Sequence, residues 1–250
     1  MFKRIMNLMV LCVVCIFVGN GLCQSRWQVE IETGRVYSGY NTVQSPVETG
    51  TKFSLQEGFS SRKNYYYRLG LIYKLSDVSY LSMGYSPLSV RYTGGFSDDI
   101  SFDGEDFAGD IPTSISYDCH SYRLSYIHEI YGNENKMVSL GATARLVDWQ
   151  MTVSNNAGIY ANKKQLEFIP QLNMTFQMIL IGNLSLYNKV DAMFASKSRF
   201  SDLLVALQYD LSERFSFRMG YRLLEDGENT DEEFKSQLFN HLALGLKIRI

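Results

Sequence analysis

Between residues 164 and 179 apolar and polar side chains alternate with a period of two. Leu166, Phe168, Leu172, Met174, Phe176 and Met178 share one face, and Glu167, Gln171, Asn173, Thr175 and Gln177 share the other. That pattern specifies an extended strand with one greasy and one hydrophilic side, because successive strand side chains point in opposite directions. It recurs at the end of the chain, where Leu242, Leu244, Leu246, Ile248 and Ile250 interleave with His241, Ala243, Gly245, Lys247 and Arg249. It recurs again where Leu203, Val205, Leu207, Tyr209 and Leu211 oppose Asp202, Ala206, Gln208 and Asp210. Ten such segments follow one another, near 27–37, 65–75, 78–92, 113–130, 137–153, 164–179, 183–195, 200–211, 214–224 and 237–250. Each is long enough for the roughly 9–11 residues that a tilted strand needs to cross a bilayer.

The composition agrees with strands. Seventeen Tyr and 15 Phe stand against 4 Pro, and the 46% hydrophobic content is too high for a disordered chain. A formal charge of −2 argues against a nucleic-acid partner, which would call for a basic excess.

A soluble β-sandwich also alternates, so the polar faces decide between the two. If the apolar faces point outward, the inward set is Glu30, Glu32, Arg68, Lys74, Arg123, Glu129, Arg145, Asp148, Glu167, Lys189, Asp191, Asp202, Asp210, Arg218, Arg222, Lys247 and Arg249, nine basic and eight acidic. A dry sandwich core could not hold such a set, whereas the lumen of a small barrel can pair it. The connections run long, short, long, short for most of the chain, as in outer-membrane barrels, with a long ninth connection expected over 226–236 and a short seventh as the exception. Trp27, Tyr65, Tyr67, Tyr73, Tyr80, Tyr85, Tyr122, Tyr126, Tyr209 and Tyr221 fall near strand ends or on outward faces, as aromatic girdles do. The expected fold is all-β: a closed antiparallel transmembrane β-barrel of ten strands, with eight and twelve as the neighbouring even counts.

Lys3 and Arg4 followed by an apolar stretch from Ile5 to Val18 read as a secretory signal peptide over residues 1–23, leaving 24–250 as a single barrel domain. Acylation of Cys23 is the alternative, disfavoured because Leu22 is not small. Cys12, Cys15 and Cys23 belong to the leader, so the mature chain keeps Cys119 and no disulfide pair. An outer-membrane location follows, with both termini periplasmic, a monomeric state, outer-membrane lipid and lipopolysaccharide as surroundings, and the barrel assembly machinery as the inserting partner.

Two phase changes interrupt the alternation. The apolar set moves from Leu81, Met83 and Tyr85 to Leu88 and Val90 around Pro87, and from Leu140, Ala142, Ala144 and Leu146 to Val147, Trp149 and Met151. One-residue slips of this kind predict β-bulges, which would also accommodate Pro87 and Pro170 and would turn both Arg145 and Asp148 inward.

The stretches GTKFSL (Gly50 to Leu55), YRLGLIY (Tyr67 to Tyr73), SPL (Ser86 to Leu88), SYRLSY (Ser121 to Tyr126), LGATARLVDW (Leu140 to Trp149) and GYRLLEDGENTDE (Gly220 to Glu232) resemble a family of uncharacterised outer-membrane β-barrel proteins of Gram-negative bacteria. The resemblance implies a barrel and carries no established activity. One departure is the final residue, Ile250, where such barrels often end in Phe.

The candidate site is the lumen charge network of Arg68, Arg123, Arg145, Asp148, Glu167, Lys189, Asp191, Asp202, Arg218, Arg222 and Lys247. For catalysis the candidates are Asp118 and His120, two apart on one strand face near the outer rim, where barrel-embedded proteases and lipid A hydrolases work. Ten-stranded omptin-type proteases use Asp/His chemistry, but their motifs are absent here, and parity turns His120 outward with Tyr122 and Leu124. His128 suits an interface, and His241 alternates into the polar face. Two acidic runs, Asp98 to Asp110 and Glu225 to Glu233, lack the ordered spacing of a calcium loop and read as solvated. No cofactor or metal is implied. The residues favour a non-enzymatic structural or surface-interaction role with an occluded lumen, with a narrow channel and an outer-rim hydrolase as alternatives.

Overall fold

The computed structural model describes residues 26–61 and 64–250, so the leader expected over 1–23 lies outside the described residues. Its strands are β1 (Trp27–Gln44), β2 (Phe53–Ser54), β3 (Phe59–Ser61), β4 (Asn64–Lys74), β5 (Ser79–Gly94), β6 (Ile100–Phe102), β7 (Glu105–Phe107), β8 (Thr113–Gly132), β9 (Lys136–Asn155), β10 (Tyr160–Ile181), β11 (Leu184–Phe194), β12 (Ser198–Asp210), β13 (Phe215–Asn229) and β14 (Phe234–Arg249). Ten of them form a closed antiparallel barrel, β1-β4-β5-β8-β9-β10-β11-β12-β13-β14, and β14 pairs back onto β1. The short strands β2, β3, β6 and β7 belong to the first two long connections.

Closure fixes the stagger. Cross-strand partners run Phe168, Leu146, Tyr122, Tyr85, Leu69, Ile31, Leu246, Phe217, Tyr209, Leu184 and Ile181. The path returns to β10 about 12 residues from its start once a local register shift there is discounted, which goes with strands tilted by about 40°. At the closing seam Gly34 pairs with Ala243, and a Cβ on Gly34 would lie 1.7 Å from the Leu242 carbonyl oxygen. Only glycine permits that approach.

The two ends of the barrel differ. One holds both termini and the tight turns after β4, β8, β10 and β12, and is called the terminal end. The other, the cap end, carries the connections that follow β1, β5, β9, β11 and β13. Near the terminal end the exposed outward side chains are apolar, including Met83, Leu124, Leu140, Leu172, Leu207, Phe217 and Leu244. Tyr65, Tyr67, Tyr122, Tyr126, Tyr209 and Tyr221 are exposed on the same wall, and Trp27 packs on Tyr73 at the terminal rim with ring centroids 4.6 Å apart.

The bulges expected at Pro87 and Val147 are not there. Pairing runs unbroken through Pro87↔His120 and through Val147↔Ser121 and Val147↔Glu167. What changes is the face that is apolar. Strands as long as the 22-residue β10 rise well past an apolar belt of about 25 Å, and beyond it the outside meets water while the inside closes into a dry core. Leu88, Val90, Val147, Trp149, Met151 and Val153 are therefore buried inside. Asp148 faces outward with parity intact, 3.5 Å from Lys164, and does not join the lumen. Proline is accommodated differently too: the pairing of β5 with β4 stops at Tyr85, and that of β10 with β11 stops at Leu172, so Pro87 and Pro170 sit just past the end of a ladder where no donor is needed. Register shifts occur instead at Ser38/Asn41, Glu129/Tyr131 and Ile179/Ile181.

The expected long ninth connection is also corrected. Strand β13 runs on to Asn229 and β14 begins at Phe234, leaving a four-residue turn. Asp226 and Glu228 continue the inward face of β13, where Lys235 supplies the counter-charge that makes an acidic strand end tolerable.

Over the cap end the first two connections fold inward as a lid. Phe53, Phe96, Phe102 and Phe107 are buried together, with Phe53 5.1 Å from Phe96 and 5.7 Å from Phe102 between ring centroids. Backbone bonds Thr51 N to Ser101 O (2.8 Å), Asp103 N to Ser45 O (2.8 Å) and Val47 N to Glu232 O (3.2 Å) tie these connections to each other and to the last turn. The acidic run from Asp98 to Asp110 rides on this lid with its carboxylates exposed, anchored by Ile100, Phe102 and Phe107 beneath.

Candidate functional site

The lumen divides into two charged tiers and an apolar layer. The lower tier, toward the terminal end, centres on Asp202 of β12, which is fully buried. Its carboxylate accepts hydrogen bonds from Arg68 Nη2 (2.7 Å), Arg145 Nη2 (3.0 Å) and Arg222 Nη1, and Arg123 Nη1 stands 3.9 Å away. Arg222 also grips Glu32 with two parallel bonds, Nη2 to Oε2 at 2.7 Å and Nε to Oε1 at 2.9 Å. That fork geometry is what a guanidinium offers and an ammonium does not. Arg218 donates to Glu30 and to Gln208, each at 2.9 Å, and lies 3.9 Å over the Tyr187 ring. Arg145 donates Nε to Gln171 at 2.9 Å and covers Phe200 at 4.4 Å. Asp191 accepts from Asn173 (2.6 Å) and Thr143 (3.0 Å).

Above this tier the inward positions turn apolar. Val36, Leu88, Val147, Ile169, Phe200 and Phe239 are all buried and come from six different strands, so the barrel is closed across its width. The upper tier follows. Lys235, also fully buried, reaches Glu167 (2.8 Å), Asp226 (3.0 Å) and Glu228 (3.9 Å) and sits 4.9 Å from the Trp149 ring centroid. Trp149 Nε1 donates to Glu167 as well. Lys163 bridges to the lid, donating to Ser45 Oγ at 2.9 Å and approaching Glu233 at 3.7 Å. In the last turn, burial pushes the Glu233 carboxyl up to about 7, with Lys235 and Lys163 opposing and Glu228 and Glu167 adding to the rise.

Of the lumen residues expected from sequence, the structure brings together Arg68, Arg123, Arg145, Lys189, Asp191, Asp202, Arg218, Arg222 and Lys247 in the lower tier, with Glu30 and Glu32. It places Glu167 in the upper tier and Asp148 outside. Lys74 binds Asp77 at the terminal rim (2.8 Å), Arg249 donates to the Glu213 carbonyl (2.8 Å), and Asp210 accepts from Gln208 (3.0 Å). His241 is buried against the Tyr66 ring at 4.6 Å. His128 contacts Ser79 Oγ at 3.0 Å on the outer wall. Lys235, Lys163, Asp226, Glu228 and Glu233 were missed. The signal for Lys235, which lies outside the expected segment 237–250, is its even spacing from Gln237 and His241.

Asp118 and His120 face outward on β8. His120 Nδ1 is 2.9 Å from the Tyr85 hydroxyl, and the two rings stack 6.1 Å apart. The expected Asp/His pair therefore belongs to the outer wall and not to an enclosed rim cleft. Among the described residues no group of three or more His, Cys, Asp or Glu could hold a metal ion.

No family model matches the chain, and no curated protein matches it. Solved structures do. The outer membrane protease OmpT from Escherichia coli superposes with a TM-score of 0.59 at 8% identity, covering 93% of this chain and 99% of that one. The translocator domain of the autotransporter NalP from Neisseria meningitidis gives 0.50 at 9% identity, with 100% and 96% covered. These similarities show the fold: a closed antiparallel barrel of the outer-membrane kind.

Proposed function

We propose that the chain is a non-enzymatic outer-membrane protein whose closed interior acts as a rigid pedestal for its lid. In this reading residues 1–23 are the secretory leader, the termini face the periplasm, the lid faces outward, and the barrel is a monomer inserted by the barrel assembly machinery. The short sequence stretches quoted above support kinship with uncharacterised outer-membrane barrels. The observation that carries the reading is the double closure of the lumen, by the arginines converging on Asp202 and by the apolar layer above them. A barrel this narrow fills with its own side chains, and here those side chains are mutually bonded.

The outer wall supports the membrane placement. Arg35 projects from the upper margin of the apolar belt, 5.8 Å from the Tyr65 ring centroid, and has no carboxylate partner among the described residues. An interfacial guanidinium beside tyrosines suits the phosphates of outer-membrane lipid and lipopolysaccharide.

Planar-bilayer recording of the refolded protein tests closure. The expected record is a flat baseline. Reproducible conductance steps that vanish when protein is omitted would replace this reading with the narrow-channel alternative.

A further inference from the structure

The lumen's charges balance as a whole and not by tier. Rim groups aside, the lower tier holds Arg68, Arg123, Arg145, Lys189, Arg218, Arg222 and Lys247 against Glu30, Glu32, Asp191 and Asp202, seven cations to four anions. The upper tier holds Lys163 and Lys235 against Glu167, Asp226, Glu228 and Glu233. The apolar layer separates the two, and among the described residues no ion pair within 4.0 Å joins the acidic surplus above to the basic surplus below. A buried cation without a counter-charge is costly, and a lower tier built this way calls for a mobile anion.

The structure also marks where that anion would sit. A cavity of about 40 Å³ lies in the lower tier, walled by Glu30, Glu32, Arg68, Arg123, Lys189 and Arg218 among others. Most of these cations are already occupied: Arg68 by Asp202, Arg218 by Glu30 and Arg222 by Glu32. Two are not. Arg123 makes only long ion contacts, 3.8 Å to Asp191 and 3.9 Å to Asp202, and its buried Nε has no hydrogen-bond partner. Gly84 lies directly beneath that guanidinium, where a Cβ would stand 2.9 Å from Arg123 Nη2, so the sheet is thinned to let Arg123 lie flat along the wall. Lys189, on the same cavity, forms no ion pair within 4.0 Å and donates no hydrogen bond to the described protein groups.

We propose that this cavity is a binding site for a small inorganic anion of about chloride size, held by Lys189 and Arg123 on the terminal side of the Asp202 cluster. The volume admits a small ion with a water and excludes a sugar or a peptide. The donors are ammonium and guanidinium N–H groups, the strongest partners for a charged acceptor. The two nearby carboxylates, Glu30 and Glu32, are each covered by an arginine, which removes the repulsion that would otherwise bar an anion.

The test uses the full mature chain refolded in detergent with chloride replaced by gluconate, an anion too large for the cavity. Chloride is titrated back at constant ionic strength and followed by 35Cl NMR line broadening, and crystals soaked in bromide are examined for anomalous scattering. Wild type should show saturable broadening and a bromide peak within hydrogen-bond reach of Lys189 Nζ. Lys189→Gln should weaken chloride at least tenfold while leaving the barrel folded, since that side chain bonds no protein group. Arg123→Gln should do the same, and if it fails to fold, Lys189→Gln decides alone. Equal broadening in wild type and Lys189→Gln, or bromide found only on the outer surface, overturns the proposal.

Discussion

Replacing Asp202 by Asn is the sharpest test of what holds the barrel interior together. The substitution keeps shape and removes charge. Three arginine hydrogen bonds, from Arg68, Arg145 and Arg222, become bonds to a neutral acceptor, and one carboxylate oxygen becomes an NH₂ group that faces arginine donors. Each charge-assisted bond is worth about 1 kcal/mol more than its neutral counterpart, which gives about 3 kcal/mol for the three. Uncompensated arginine charge in a site with no exposure adds to this, and removing one partner of a buried ion pair costs about 3–5 kcal/mol. We therefore expect Asp202→Asn to lower unfolding free energy by about 3–5 kcal/mol, a factor of roughly 150 to 5,000 in the equilibrium constant. Urea titration of the refolded protein, read by tryptophan fluorescence, measures it. Asp77→Asn is the matched control. Its carboxylate pairs with Lys74 at 2.8 Å but is 97% exposed, so the change should cost under about 0.5 kcal/mol. If Asp202→Asn costs less than about 1 kcal/mol, the convergence of arginines is decoration and the reasoning fails.

Two other perturbations follow from the same structure. Glu233 titrates near 7 in the folded protein against 4.5 in the unfolded chain, so the native state holds its proton more tightly. The stability this confers is complete below about pH 4.5 and is lost as pH rises through 7, amounting to about 3 kcal/mol. Glu233→Gln, still faced by Lys163, Lys235, Glu228 and Glu167, should therefore flatten the difference in urea midpoint between pH 5 and pH 8 and stabilise the protein at pH 8. An unchanged pH profile would show that the last turn opens to water. Gly34→Ala should force the closing seam apart, because its Cβ falls 1.7 Å from the Leu242 carbonyl oxygen. A cost above about 2 kcal/mol is expected, seen as loss of the folded band on unheated gels, whereas Gly104→Ala, with open space around it and only the backbone strain of its φ of 84° to bear, about 1 kcal/mol, should retain that band.

Most of the barrel is legible in the sequence because lipid imposes a simple rule on each strand that it touches. The segments at 164–179 and 200–211 alternate cleanly, and the structure extends them by a few residues only. Legibility ends where the solvent changes. Val147, Trp149 and Met151 mimic a register slip because the rule inverts above the belt, while the backbone continues unaltered. The same inversion misassigned Asp148, which is outward at a level where outward means water. Asp226, Glu228 and Glu233 look like a solvated acidic loop because their counter-charge, Lys235, follows the turn on the next strand and is brought inward only by the β13–β14 pairing. Lys163 and Ser45 are 118 residues apart, so no local pattern could announce their bond.

The inversion of faces along β5 and β9 has a use beyond this molecule. It is a depth gauge written in one dimension: the residue at which greasy side chains swap sides, Tyr85 to Leu88 on one strand and Leu146 to Val147 on another, records where hydrocarbon gives way to water. A chain carrying several such marks states its own draught, as a hull carries a waterline.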